Sequence, residues 1–186
     1  NSPLVYNDTV YISNDISGPS TIFALNATTG ATKWSKDYSG YTVSSMAYKN
    51  GKVFVGRQNG GILCLWANNG TQVWYGLPSS GAVYSSPSVS ENRVFFTTET
   101  GWLYALYLNN GTKAWQYQVG AQTYSSPALS DGKVFIAGSA YYQSNGTQIW
   151  SNGFSQYSIP AVSGNRLVVL NDSKLTCQST LDGTIL

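Results

Sequence analysis

The sequence predicts an all-β protein: a β-propeller of four-stranded antiparallel blades, with about five repeats and an incomplete last blade. Three observations predict it. Four phrases recur in fixed order along the 186 residues. Each phrase has the β-branched and aromatic content of a short strand. No stretch carries helical periodicity.

The strongest phrase places a Trp four positions after a Gly. It reads GATKW from Gly30, GTQVW from Gly70, GTKAW from Gly111 and GTQIW from Gly146, with GTIL from Gly183 as a fifth copy. The glycines are 40, 41, 35 and 37 residues apart. A second phrase reads YSSPSVS from Tyr84, YSSPALS from Tyr124 and YSIPAVS from Tyr157, with weaker copies VSSMAYKNGKV from Val43 and NSPLVYNDTV from Asn1. A third is TVYIS, KVFVG, RVFFT, KVFIA and RLVVL, and a fourth is IFALNATTG, ILCLWANNG and LYALYLNNG. Pairs such as Asn50–Gly51 and Asp131–Gly132 supply the positive φ of tight hairpins.

Four short strands in a unit of about 40 residues describe a propeller blade. One blade cannot bury both of its faces, so neighbours stack, and the repeated Trp34, Trp74, Trp115 and Trp150 fill the gaps. The whole chain reads as one propeller domain with repeats at 1–40, 41–82, 83–123, 124–156 and 157–186. The run from Val134 to Gly146 is several residues short, so the third strand of the fourth repeat should be abbreviated. Four repeats and part of a fifth suit either a window of a longer ring or a small ring completed by a strand from elsewhere.

The runs SSPALSDGKVFIAGS and GWLYALYLNNGTKAW resemble the pyrroloquinoline-quinone-like repeat family over nearly the whole chain. That family includes quinoprotein alcohol dehydrogenases and a bacterial outer-membrane assembly scaffold. The resemblance implies a ring, commonly of seven or eight blades, in which the second phrase forms the innermost strand. Ser44, Ser45, Ser85, Ser86, Ser125, Ser126 and Ser158 would then lie near the central channel, where small residues let strands converge. Tyr84, Tyr124 and Tyr157 recur beside them as structural residues. Shared residues of this kind specify a fold rather than a function.

The chemical inventory points away from catalysis. The chain has no His, which removes the imidazole base and the His metal ligand. The dehydrogenases of the family carry an Asp base, a calcium site and adjacent cysteines, and no adjacent cysteines occur here. Asp8, Asp15, Asp37, Glu91, Glu99 and Asp172 form no paired constellation in sequence, and Asp131 and Asp182 sit in turns. No catalytic, cofactor-binding or metal-binding residue is therefore expected, and no cofactor. Net charge is only +2 with no basic stripe, so nucleic acid is not an expected partner. No apolar run reaches the roughly 20 residues of a membrane helix.

Cys64 and Cys177 occupy the slot that Ala24 and Ala105 hold in other repeats, six residues before the Gly. Buried free thiols are the favoured reading, since equivalent strands of separate blades stand too far apart for a disulfide. Six Asn-x-Ser/Thr sequons occur, at Asn7, Asn26, Asn69, Asn110, Asn145 and Asn171. Each falls at a predicted turn, so each is an N-glycosylation candidate. Turn geometry alone also explains the repeated Asn-Gly-Thr. Trp66 and Trp102 break the repeat and read either as extra packing or as rim residues for a sugar or peptide.

Only 10% of residues are charged, against about 25% in an average domain, while Tyr, Ser, Thr and Asn abound. The composition resembles that of archaeal cell-surface proteins. The expected function is a non-catalytic extracellular or cell-surface propeller in binding, adhesion or structural assembly, as in a filament or surface layer. Expected partners are other protein subunits or surface glycans, with covalent N-glycans and a route to homo-oligomers by strand addition. The alternatives are a fragment of a quinoprotein dehydrogenase and an envelope scaffold for protein assembly.

Overall fold

A computed structural model describes residues 2–14, 19–77, 81–153, 157–171 and 174–186. Asp15, Asp172 and the side chain of Asn171 lie outside the described residues. Nineteen strands and no helix occur among them. The first sheet holds β1 (Leu4–Tyr6), β2 (Thr9–Ser13), β3 (Ser20–Asn26) and β4 (Thr32–Tyr38). The second holds β5 (Thr42–Lys49), β6 (Lys52–Arg57), β7 (Ile62–Trp66) and β8 (Gln72–Gly76). The third holds β9 (Ser88–Val89), β10 (Arg93–Thr97), β11 (Trp102–Tyr107) and β12 (Lys113–Gln118). The fourth holds β13 (Ala128–Ser130), β14 (Lys133–Ile136), β15 (Ser139–Tyr142) and β16 (Gln148–Ser151). The fifth holds β17 (Ala161–Ser163), β18 (Arg166–Asn171) and β19 (Lys174–Ser179), and the chain then turns back beside β19 through a Gln178–Ile185 bridge.

Every sheet is an antiparallel meander with strands in chain order. The first strands β1, β5, β9, β13 and β17 neighbour one another in series, so they form the inner side of the arc. This is a β-propeller architecture. In the fourth blade β15 has four residues, and a two-residue turn at Ala137–Gly138 (φ 44° and 72°) joins it to β14. Much of the shortening expected there therefore lies in the turn.

The second strands of the three middle blades are apolar on both faces. Side chains alternate across a strand, and in β6 Val53 and Val55 pack toward the first blade while Phe54 packs toward the third. In β10 Val94 and Phe96 face back and Phe95 faces forward. In β14 Val134 and Ile136 face back and Phe135 faces forward. Both faces are covered, so these strands read as apolar runs rather than as alternating ones.

The repeated tryptophans lock each blade to the next. In all four complete sheets the register slips after the small-residue slot, at Ala24, Cys64, Ala105 and Ala140, each of which pairs with a Trp. The bulge falls between the Trp and its glycine turn, and bulges re-aim side chains. The Trp34, Trp74 and Trp115 indole N–H groups donate to the Ala67, Leu108 and Gln143 carbonyls of the following blade at 2.9–3.0 Å, and Trp150 to Thr180 at 3.5 Å. The same rings cover Gly70, Gly111, Gly146 and Gly183, where a Cβ would lie 2.5–2.7 Å from ring carbon. Gly30 has the same positive φ of +73°, yet nothing lies within 4 Å of a Cβ there.

That contrast is testable. Gly30→Ala should cost only left-handed backbone strain, about 1–2 kcal/mol. Gly111→Ala carries similar strain and must also displace Trp74, adding about 1–3 kcal/mol. Urea unfolding of the two variants should rank them in that order, and equal losses would mean that the indole contact adds nothing.

Candidate functional site

A groove of about 470 Å³ opens at the turn end of the first two blades. It is lined by Tyr6, Asn7, Thr9, Tyr11, Lys33 and Trp34 of the first blade and by Tyr48, Gly51, Trp66, Ala67 and Asn68 of the second. Three tight connections build it: the Asn7–Asp8 turn (φ 43° and 53°), the Asn50–Gly51 turn (φ 50° and 73°) and the turn from Ala67 to Thr71.

The walls are aromatic. Tyr6 and Tyr48 stack across the blade boundary with centroids 3.7 Å apart and planes at 22°. Tyr11 and Trp34 form the floor and are held from one carbonyl, because both donate to Ala67 O, at 3.2 and 2.9 Å. Trp66 stands at the rim with 43% of its surface exposed, and the Lys52 ammonium sits 5.4 Å from its ring centroid. Lys33, the bulge residue beside Trp34, donates to Asp8 O and Thr9 Oγ1, both at 2.7 Å. Desolvation raises the pKa of Tyr11 and of Tyr48 above the ordinary phenol value, and the Tyr48 hydroxyl accepts from Gly51 N at 3.2 Å.

Of the two tryptophans that break the repeat, only Trp66 lines this groove. Trp102 is half-buried, packed beside the core between the second and third blades, with its ring 6.4 Å from Tyr104. Tyr6 and Tyr48 were not singled out in the sequence, though a signal was there. Counted back from the third phrase, Tyr48 stands where the other repeats have Val5, Val89, Leu129 and Val162. Tyr6 stands where they have Lys49, Ser90, Ser130 and Ser163.

The inner serines do more than save space. Ser44 Oγ accepts from Gly56 N at 2.7 Å, and Ser85 Oγ accepts from Thr97 N at 2.8 Å, so each hydroxyl completes a ladder inside its own blade. Ser125 Oγ donates to Ser158 O at 2.5 Å in the next blade. Ser45 and Ser126 accept from Ser2 N and Ser86 N of the preceding blades at 3.0 and 2.9 Å. Tyr84, Tyr124 and Tyr157 run across three blades with centroids 5.6 and 5.4 Å apart.

The sequons differ in setting. Asn7, Asn69, Asn110 and Asn145 are exposed. Asn69 Oδ1 and Asn110 Oδ1 accept from the hydroxyls of Thr71 and Thr112 at 2.8 Å. Asn26 is half-buried, and its Nδ2 donates to Asp8 Oδ2 at 2.6 Å. Among the acidic residues, Asp37 accepts from Thr21, Glu91 pairs with Lys49 at 2.6 Å, and Glu99 accepts from Ala82 N. Hydrogen bonds from Ser179 and Thr184 lower the pKa of Asp182.

Among the described residues no three His, Cys, Asp or Glu side chains come together. Both cysteines are free. Cys64 is fully buried. Cys177 is only half-buried, a departure from the expectation of two buried thiols. The other slots pair with Trp34, Trp74, Trp115 and Trp150, and no such pair covers Cys177 among the described residues. The described residues thus bring together neither a calcium-binding carboxylate set nor a cysteine pair.

The comparisons place this architecture. A family model described as outer membrane protein assembly factor BamB, of the PQQ-like repeat type, matches residues 18–141. The chain belongs to this family. No curated protein matches the sequence. BamB from Moraxella catarrhalis superposes with a TM-score of 0.80 at 18% identity, covering 96% of this chain and 57% of that one. The computationally designed Ika8 protein gives 0.84 at 16% identity, covering 99% and 59%. A europium-containing methanol dehydrogenase gives 0.79 at 16%, covering 98% and 49%. The chain thus spans between about half and three-fifths of the length of these structures. At such identities the likeness carries the fold alone.

The buried thiol sets a pH dependence. Burial pushes the Cys64 pKa from 9.0 up to about 12, and the Tyr141 hydroxyl from 10.0 to about 12. Both groups stay neutral in the fold while the unfolded chain ionises them. Stability is therefore full below about pH 9 and falls as pH rises through 9 to 12. Cys64→Ala, which copies the residue at positions 24, 105 and 140, should fold and lose less stability over that window. Urea midpoints at pH 7.5, 9.5 and 10.5 check this, and identical slopes for the two proteins would refute it.

Proposed function

We propose that this chain is a non-catalytic, extracellular or cell-surface binding propeller, and that the groove between its first two blades holds carbohydrate. The observation that carries the reading is the groove lining: a stacked tyrosine pair, an exposed indole, two asparagine amides and a lysine around one open volume. Aromatic faces take the apolar faces of pyranose rings, while amide and ammonium groups bond their hydroxyls. Family membership supports a repeat scaffold and leaves the reaction class open, since BamB and a methanol dehydrogenase share the fold.

Soluble hexose, N-acetylhexosamine and uronic-acid oligosaccharides, titrated by calorimetry, test the groove. Trp66→Ala and Tyr6→Ala should each weaken binding about ten-fold or more, at about 1.5–3 kcal/mol per removed stacking contact. Unfolding of the Trp66→Ala variant should be unchanged, since that indole is exposed. Binding equal to that of the parent protein, or none by any of the three sugars, would overturn the proposal.

The exposed sequons support the surface location. In protein purified from its native host, peptide mapping after deglycosylation should mark Asn69, Asn110 and Asn145. It should leave Asn26 unmodified, because its amide is engaged by Asp8. A bare chain mass of 20.1 kDa would remove this support.

A second reading, a scaffold for protein assembly in the cell envelope, is favoured by the BamB family match. Cross-linking in native membranes separates the two readings: the scaffold predicts a stoichiometric protein adduct that excess oligosaccharide leaves intact. Pyrroloquinoline quinone with Ca²⁺ and a dye acceptor, added to the natively purified protein, tests the quinoprotein alternative, and alcohol oxidation would establish it.

A further inference from the structure

Arg57 ends β6, at the far end of that strand from the groove. It departs from the repeat, because the equivalent positions carry Asn14, Thr98, Gly138 and Asn171. Its side chain lies inside the protein, with 5% of the residue exposed. Two tyrosines accompany it: the guanidinium carbon is 5.8 Å from the Tyr75 ring centroid, and its charge also acts on Tyr38. Both hydroxyls are used elsewhere, Tyr38 donating to Gly70 O and Tyr75 to Gly60 O. Among the described residues no carboxylate pairs with Arg57.

The Nε and Nη2 groups of Arg57 are buried and have no hydrogen-bond partner. These two nitrogens form one edge of the planar guanidinium, the side-on fork that matches two oxygens of a carboxylate, sulfate or phosphate. The Tyr75 ring, with its centroid 5.8 Å from the guanidinium carbon, offers a cation–π contact but no hydrogen-bond acceptor for that edge. Burial lowers the guanidinium pKa, yet arginine stays charged in proteins, and interiors pair nearly all buried N–H groups. Gly40 packs against the Nη2 end: a Cβ there would lie 2.9 Å from Nη2 and 3.3 Å from Asn59 Nδ2, and its φ of +86° disfavours any side chain.

We propose that Arg57 anchors an oxyanion-binding site between the first and second blades, taking a carboxylate, sulfate or phosphate group side-on through Nε and Nη2. The site is separate from the aromatic groove and does not depend on carbohydrate binding there. The occupant is a small oxyanion, free or carried on a larger molecule, and the probes are the free ions.

Thermal unfolding at constant ionic strength, with chloride replaced stepwise by acetate, sulfate or phosphate, tests it. The wild-type protein should gain a saturable rise in Tm with at least one oxyanion and none with chloride. Arg57→Met should lose the saturable part, corresponding to an affinity about ten-fold or more weaker. Arg57→Lys should recover only part of it, since an ammonium has no fork. A general salting effect would raise both proteins alike, and equal curves for wild type and Arg57→Met would overturn the proposal. Should Arg57→Met not fold, the wild-type Arg57 Nε–Hε NMR cross-peak gives the same answer. It should shift saturably with the oxyanion, and a peak unmoved by all three ions would show the fork to be satisfied by water and refute the site.

Discussion

Each of four indoles packs against a glycine of the next blade and donates its N–H to the carbonyl three residues before that glycine. One contact thus serves two chemistries. The ring replaces water over bare backbone, and the N–H bonds a turn carbonyl, which at Ala67, Gln143 and Thr180 also accepts from Tyr11, Arg93 and Lys133. The glycine is required twice, by its positive φ and by the ring. The bulge beside each Trp, which re-aims the indole toward its neighbour, is part of the same device. Since each blade is latched only to the next, stability is a sum over neighbouring interfaces, as in other repeat proteins.

This latch frees the ends of the blades from structural duty. The apolar content of β6, β10 and β14 is consumed between blades, and the inner serines stitch strands around the axis. Turn residues at the two ends can then vary without loss of the frame. The first blade boundary uses that freedom twice. At one end Tyr6, Tyr48 and Trp66 line a groove, and at the other a lone arginine is buried between tyrosines.

Most of the fold was legible because the repeat writes each strand several times. The Gly-to-Trp phrase marked the outermost strand of every complete blade, and the Ser-Ser-Pro phrase marked the inner one. The shortened fourth repeat was legible too, although much of the missing length came out of the Ala137–Gly138 turn. The serines were read as small residues for a crowded axis, whereas their hydroxyls complete ladders. A hydroxyl's partner is set by strand convergence, which one chain's pattern does not encode. Both candidate sites lie at departures from the repeat, at Tyr6, Tyr48, Trp66 and Arg57, and of these only Trp66 drew notice as a sequence.

By itself the sequence determined the blade, its four strands, their order and the residue that locks one blade to the next. These follow from local periodicity and from spacing along the chain. Which departures meet was decided only in three dimensions. Tyr6 and Tyr48 are 42 residues apart and stack because two inner strands converge. Trp66 and Trp102 look alike as breaks in the repeat, yet one ends β7 at the groove rim and the other begins β11 against the core. Cys64 and Cys177 share a slot, yet Cys64 pairs with Trp74 and is buried while Cys177 is half-buried. Periodicity fixes which face a side chain takes, and packing decides what waits on that face.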